Sequence, residues 1–137
     1  MAEPDRDLAE IASYHAHVYF DPARTRGEAE LLRAGVAERF RVRLGRWHEV
    51  KVSPHDAAMF QIAFTVELFA TLVPWMMLNN RGLSILVHPN TIDPRHDHTA
   101  GALWIGERLP VHVEDFPDTV AEVEKAGEPN TEPRMTA

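Results

Sequence analysis

The chain of 137 residues contains no cysteine. That excludes disulfides, thiolate nucleophiles, cysteine zinc sites and iron–sulfur clusters, so a metal would have to be held by histidine, carboxylate or substrate oxygens. Long apolar runs are also missing. The longest candidate, residues 60–78, is broken by Gln61, Thr65, Glu67, Thr71 and Pro74, and a bilayer span needs roughly 18 uninterrupted residues. The first residues, Met1-Ala2-Glu3-Pro4-Asp5-Arg6-Asp7, are polar and acidic, where a secretory signal needs a basic start and an apolar stretch. A cytoplasmic location without membrane attachment is therefore expected. Positive charge is scarce too: 14 Lys and Arg stand against 21 Asp and Glu, a formal net charge of -7. Such a surface is poorly suited to nucleic acid, which requires basic groups to replace counterions. Arg39, Arg41, Arg43 and Arg46 form a local exception. They read either as a solvated strand face or as a seat for an anionic substrate group. There is no glycine-rich phosphate loop, no His-Glu-x-x-His helix, no Gly-x-Ser-x-Gly elbow and no internal repeat.

What the chain does have is histidine in short phrases. Five of its eight histidines fall in Tyr14-His15-Ala16-His17-Val18-Tyr19-Phe20, Val87-His88-Pro89 and His96-Asp97-His98. Imidazole is the commonest protein ligand for a transition metal and titrates near neutral pH, so the phrases suggest a metal site.

Periodicity places these phrases. At 45% hydrophobic residues, the chain has the composition of one soluble globular domain with a single core. Residues 1–12 read as a flexible leader, 13–114 as the folded domain, and 115–137 as a weak helix with a disordered tail rich in proline and acids. Residues 13–20 alternate, with Tyr14, Ala16, Val18 and Phe20 on one face and His15, His17 and Tyr19 on the other, the pattern of a half-buried strand. Residues 23–40 follow Asp21-Pro22 with apolar positions at helical spacing. Residues 41–52 read as a second strand with a bulge at Gly45, and 59–65 as a third, after the turn at Ser53-Pro54-His55-Asp56. Residues 66–78 read as a second helix with Pro74 kinking or bounding it, stopped near Gly82. Residues 83–88 form a fourth strand ended by Pro89, 91–99 a polar loop, and 102–105 a short strand or helical turn.

Strand, helix, strand, strand, helix, strand is the βαββαβ plan of α+β ferredoxin-like folds. The expectation is a four-stranded antiparallel sheet in the order 4-1-3-2, with both helices on one face. Tyr14, Ala16, Val18, Phe20, Phe60, Ile62 and Phe64 would pack under the helices. His15, His17, Tyr19, Gln61 and His88 would then share the opposite face. Residues i and i+2 of a strand stand about 6–7 Å apart on one face. Strands one and four are antiparallel neighbours in this plan, so His15 and His17 meet His88, and the loop carrying His96 and His98 starts beside them. The plainer reading of each phrase is polar surface, a solvated strand end or a loop cap. His48 and His55 fall toward the other end of the sheet, or join the site if a dimer folds that hairpin over a neighbour; His112 reads as structural, and Trp47 as packing or as the wall of an aromatic ligand's pocket.

Together the phrases resemble a known family. Tyr14-His15-Ala16-His17-Val18-Tyr19-Phe20-Asp21, Pro54-His55 followed by Met59-Phe60-Gln61, Asn80-Arg81-Gly82-Leu83 leading to Leu86-Val87-His88-Pro89, and Asp97-His98 with Trp104-Ile105-Gly106 are similar to the DOPA 4,5-dioxygenase family over residues 13–113. The resemblance implies an extradiol ring-cleaving dioxygenase that uses non-haem Fe(II) and O2 on a small catechol such as L-DOPA, working as a homodimer. Neutral imidazoles suit an Fe(II) that must keep positions open. Carried onto this chain, the resemblance makes His15, His17 and His88 the metal candidates and His55 and His98 the acid/base candidates. Tyr19, Gln61 and one of Arg43 or Arg46 become substrate-orienting candidates. No carboxylate stands on the expected sheet face, and Asp97 is the one acid within the histidine phrases. Two loops depart from the family's usual pattern: Asp56-Ala57-Ala58 follows Pro54-His55, and Thr91-Ile92 stands where a Thr-Gly pair is usual. Two other readings remain, a non-catalytic metal- or small-molecule-binding dimer on the same scaffold, and an interaction module whose open sheet face makes the dimer.

Overall fold

A computed structural model describes residues 3–135. It has the α+β class expected. Five antiparallel strands, β1 (Ser13–Phe20), β2 (Arg43–His48), β3 (Ala58–Phe64), β4 (Ser84–Asn90) and β5 (Leu103–Ile105), form one sheet in the order β2-β3-β1-β4-β5. The expected order of four strands is present within it, but the count of four is corrected to five. Leu103–Ile105 adds to the free edge of β4 through Ile85, Leu86 and Val87, covering an edge that would otherwise expose unpaired backbone groups.

Helices α1 (Arg26–Arg39) and α2 (Phe69–Asn79) carry Ala29, Leu32, Val36, Leu72, Val73 and Met76 into one apolar cluster with Ala16, Val18, Phe20, Phe60, Ile62, Phe64, Ile85 and Val87. This is the face that the alternation assigned to the core, since successive side chains leave a strand on opposite sides. Pro74 does not end α2; the helix runs through it after a 3-10 turn at Val66–Leu68. The bulge falls between Leu44 and Trp47. A Cβ on Gly45 would lie 3.2 Å from the Gln61 Cβ, so glycine permits the close approach of β2 to β3. Beyond the bulge Trp47 stacks on Phe20 and Phe60 at 4.4 and 5.5 Å, which makes it core.

Three local expectations differ. Strand β4 continues through Pro89 to Asn90, because β5 has already ended and one side of that strand needs no donor. The loop after β4 contains a short helix, α3 (Pro94–His98), whose first turn is set by Pro94 and by the Asp93 side chain accepting from the His96 amide. The stretch after Phe116 forms no helix among the described residues. It runs extended across the molecule and is pinned by Val120 N to Ile92 O, Asn130 N to Val42 O and Arg134 N to Glu38 O at 2.8–2.9 Å. The buried Thr131 hydroxyl donates to Phe40 O and accepts from Val42 N. At the other end, Asp7 and Glu10 form a capping box around a 3-10 turn at Leu8–Glu10. No helix among the described residues is long and apolar enough to cross a membrane.

Strand β1 is buried on both faces apart from the partly covered Tyr14. Its second face is covered by the β2–β3 connection, by α3 and by the segment after Phe116, which together enclose the histidines.

Candidate metal centre

The register of the sheet assembles the site. His15 lies opposite His88 across β1 and β4, and His17 opposite Gln61 across β1 and β3. Directly opposed residues project to the same face, so His15, His17, His88 and Gln61 meet on the side away from α1 and α2. His15, His17 and His88 are 5%, 3% and 1% exposed, and each offers one nitrogen within 4.8 Å of the others. The Nε2 atoms of His17 and His88 are 3.0 Å apart.

The surroundings decide how these rings are protonated. The His88 Nδ1–H donates to Pro89 O at 2.9 Å, which leaves its Nε2 lone pair aimed at His17. The backbone partner fixes both tautomer and ring orientation, as for histidines that ligate metals. His17 Nδ1 is buried with no partner. Burial is the main force on every ring. It holds His15 and His55 at about 4 and drives His17 and His88 well below the ordinary 6.5, and repulsion from neighbouring rings adds to the effect. His98 is lowered by burial as well. The rings are therefore neutral at pH 7, the form that binds cations. With His88 Nε2 bare, His17 Nε2–H donates to it at 3.0 Å; a cation taking the place of that hydrogen, with the His17 proton moved to Nδ1, would be held by His15, His17 and His88. The donor set therefore fits a nitrogen-bound divalent transition metal.

His55 and His98 flank this group. The β2–β3 connection does not stay at the far end of the sheet. It folds back so that the His55 ring lies 4.1 Å from that of His17, and a bridge to Val111 with a bond from His112 N to Pro54 O ties it down. The Tyr19 hydroxyl is 2.6 Å from His55 Nδ1. Burial raises the Tyr19 pKa, so the phenol is protonated and donates, and the His55 proton sits on Nε2. His98 is the reverse case. Its Nδ1–H donates to Pro94 O at 2.8 Å, leaving Nε2 bare, and its ring lies 3.9 Å from that of His88, tilted by 36°. Asp97 lines the same cavity but is not grouped with the metal candidates. Its carboxylate accepts from Thr91 N and Thr91 Oγ1 at 2.7 and 2.8 Å and so fixes α3 to the end of β4.

All five histidines line one cavity of about 480 Å³ together with Gln61, His48, Asn90, Phe116, Glu122 and Glu124. Gln61 Nε2 is 3.5 Å from His15 Nε2. Three substrate-orienting candidates lie outside the lining. Tyr19 is not part of the lining; its hydroxyl is committed to His55. Arg43 and Arg46 are exposed and outside the lining, and Arg43 donates instead to Glu128 O. Position on a strand sets a residue's face but not the path of a long side chain. Sequence reasoning missed Phe116, whose ring packs 4.8 Å from His98, and Glu124, whose Oε1 lies 3.5 Å from His15 Nε2. Only the unusual density of acids and prolines after Phe116 hinted at that segment. His96 is exposed and outside the cavity, and His112 pairs with Asp56.

Residues 14–115 match the Dopa 4,5-dioxygenase family. The DOPA 4,5-dioxygenase of Amanita muscaria is 30% identical over 128 residues, covering 84% of this chain and 56% of that protein. An uncharacterized 21.2 kDa protein of Botryotinia fuckeliana is 42% identical over 78 residues, covering 51% of this chain and 43% of that protein. The chain thus spans about half the length of these curated relatives. The crystal structure of a proposed dioxygenase from Nostoc punctiforme superposes with a TM-score of 0.78 at 47% identity, over 80% of this chain and 95% of that one.

Proposed function

The chain belongs to the Dopa 4,5-dioxygenase family, and from that premise we propose that it is a non-haem iron extradiol dioxygenase opening the ring of a small catechol. The observation that carries the reading is the buried, neutral cluster of His15, His17 and His88 at the floor of a cavity large enough for a single aromatic ring. These residues would hold Fe(II), which supplies the activation of O2 and of the catechol that ring opening requires.

The protein's own groups divide the proton transfers. His98 presents a bare Nε2 and takes the proton of the catechol hydroxyl as it binds. His55 carries its proton on Nε2, held there by the Tyr19 hydroxyl on Nδ1, and donates to oxygen as charge develops on it. Gln61 hydrogen-bonds on the same face and orients substrate beside His15. Phe116 and Val120 close the cavity from the segment after the domain core and limit water. The homodimer implied by the resemblance belongs to the same proposal, and sedimentation velocity checks it.

The test is anaerobic reconstitution with Fe(II), metal analysis, then O2 uptake with L-DOPA and catechol. The expected result is one iron per chain and formation of a yellow ring-opened product. His17→Ala and His88→Ala should lose iron and O2 uptake together while keeping the parent's circular dichroism. Retained iron and full turnover in both variants would refute the assignment. Iron bound without any catechol-dependent O2 uptake would instead favour a non-catalytic binding protein on the same scaffold.

A further inference from the structure

The charges around the cavity bear on which catechol enters it. Among the described residues, no arginine or lysine lines the cavity. Outside the lining, Arg43 donates to Glu128 O at 3.1 Å, Lys51 pairs with Asp56 at 3.5 Å and Arg95 with Asp118 at 3.0 Å, and Lys125, which follows Glu124, is exposed and not part of the lining. Burial lowers the pKa of His15, His17, His55, His88 and His98 and keeps these rings neutral. Carboxylates do line it. Asp97 is spent on Thr91, whereas Glu122 and Glu124 stand exposed at the mouth. Glu124 is held there by its backbone, because the fully buried Ser13 hydroxyl donates to Glu124 O at 2.6 Å. Its side chain is 64% exposed with Oε1 over His15.

We propose that Glu122 and Glu124 make this cavity selective for catechols whose ring substituent is a cationic amine, and that catechols bearing a carboxylate are disfavoured. The inference rests on the catechol reading above. With the two ring oxygens directed to the histidine floor, the substituent projects toward the mouth, where Glu122 and Glu124 are, among the described residues, the carboxylates of the lining other than Asp97. An ammonium group gains a partner there. An anionic substituent finds no cation and is repelled. A zwitterionic side chain, as in L-DOPA, gains with one group and loses with the other.

The test is equilibrium binding of dopamine, catechol, L-DOPA and dihydroxyphenylacetate to the Fe(II)-loaded full chain without O2, followed by calorimetry. Two like charges at a solvated mouth give a dopamine-to-dihydroxyphenylacetate affinity ratio of about tenfold or more, with catechol and L-DOPA between. The ratio should shrink as salt is raised. In the E122Q/E124Q double variant it should fall to within about threefold. Dihydroxyphenylacetate binding as tightly as dopamine, or a ratio unchanged in the double variant, would overturn the selectivity while leaving the catechol reading in place. Failure of all four compounds to bind would overturn both.

Discussion

Replacing Asp97 tests how the site is held. Its side chain is 2% exposed and accepts from the Thr91 amide at 2.7 Å and the Thr91 hydroxyl at 2.8 Å. Those bonds fasten α3, and with it His98, to the end of β4. Burial raises the Asp97 pKa above the ordinary carboxylate value, and the two hydrogen bonds from Thr91 oppose that rise by favouring the carboxylate. Asp97→Ala removes both acceptors and leaves the buried Thr91 amide without a partner. At roughly 1.5–3 kcal/mol for each hydrogen bond to a charged group, the loss of both is about 3–6 kcal/mol. That is a large part of the 5–15 kcal/mol typical of a domain. Asp97→Asn keeps an oxygen for the amide and offers an N–H to the Thr91 hydroxyl, so its loss should be about 1 kcal/mol. Urea denaturation of the metal-free proteins separates the two, because the midpoint falls in proportion to the lost stability when the slope is unchanged. The iron-loaded Asp97→Asn protein should retain most of its O2 uptake, since His98 stays in place. An Asp97→Ala protein within 1 kcal/mol of the parent, or an Asp97→Asn protein as damaged as Asp97→Ala, would refute this account.

Four further outcomes follow from the same geometry. His15 and His55 are held at about 4 against an ordinary 6.5, so between those values the unfolded chain binds protons that the folded chain does not. Stability of the metal-free protein is full above about pH 6.5 and lost as pH falls toward 4, by about 2 kcal/mol per ring between pH 7 and 5, and thermal melts after chelation should show it. Gly106 has φ +80, and a Cβ there would lie 2.8 Å from Leu83 O; Gly106→Ala should cost about 1–3 kcal/mol in chemical denaturation. Tyr19→Phe frees His55 Nδ1 and should lower kcat by about tenfold with iron content unchanged, and an unaltered kcat would detach Tyr19 from the proton path. Thr131→Val leaves the Val42 amide unpaired, at a cost of about 1–3 kcal/mol, and limited proteolysis should then cut first in the segment after Phe116.

The residues whose placement was legible in the sequence are those governed by local period. Alternation in Ser13–Phe20 and Ala58–Phe64 assigned Ala16, Val18, Phe60 and Ile62 to the core face and His15, His17 and Gln61 to the other, because a strand has only two faces and successive residues take opposite ones. The order of elements then placed β4 beside β1, and with it His88 beside His15. Tertiary structure alone decided what closes over that face. His55 reaches His17 only because the β2–β3 connection folds back, and Glu124 reaches His15 only because Ser13 and Ile92 hold the chain after Phe116. Irregular segments have no repeat to read; contacts distant in sequence choose their path. The same holds for long polar side chains: Tyr19 shares the face of His17 yet spends its hydroxyl on His55, and Arg43 turns to Glu128. Face follows from the backbone's two-residue repeat, whereas partner depends on the whole fold.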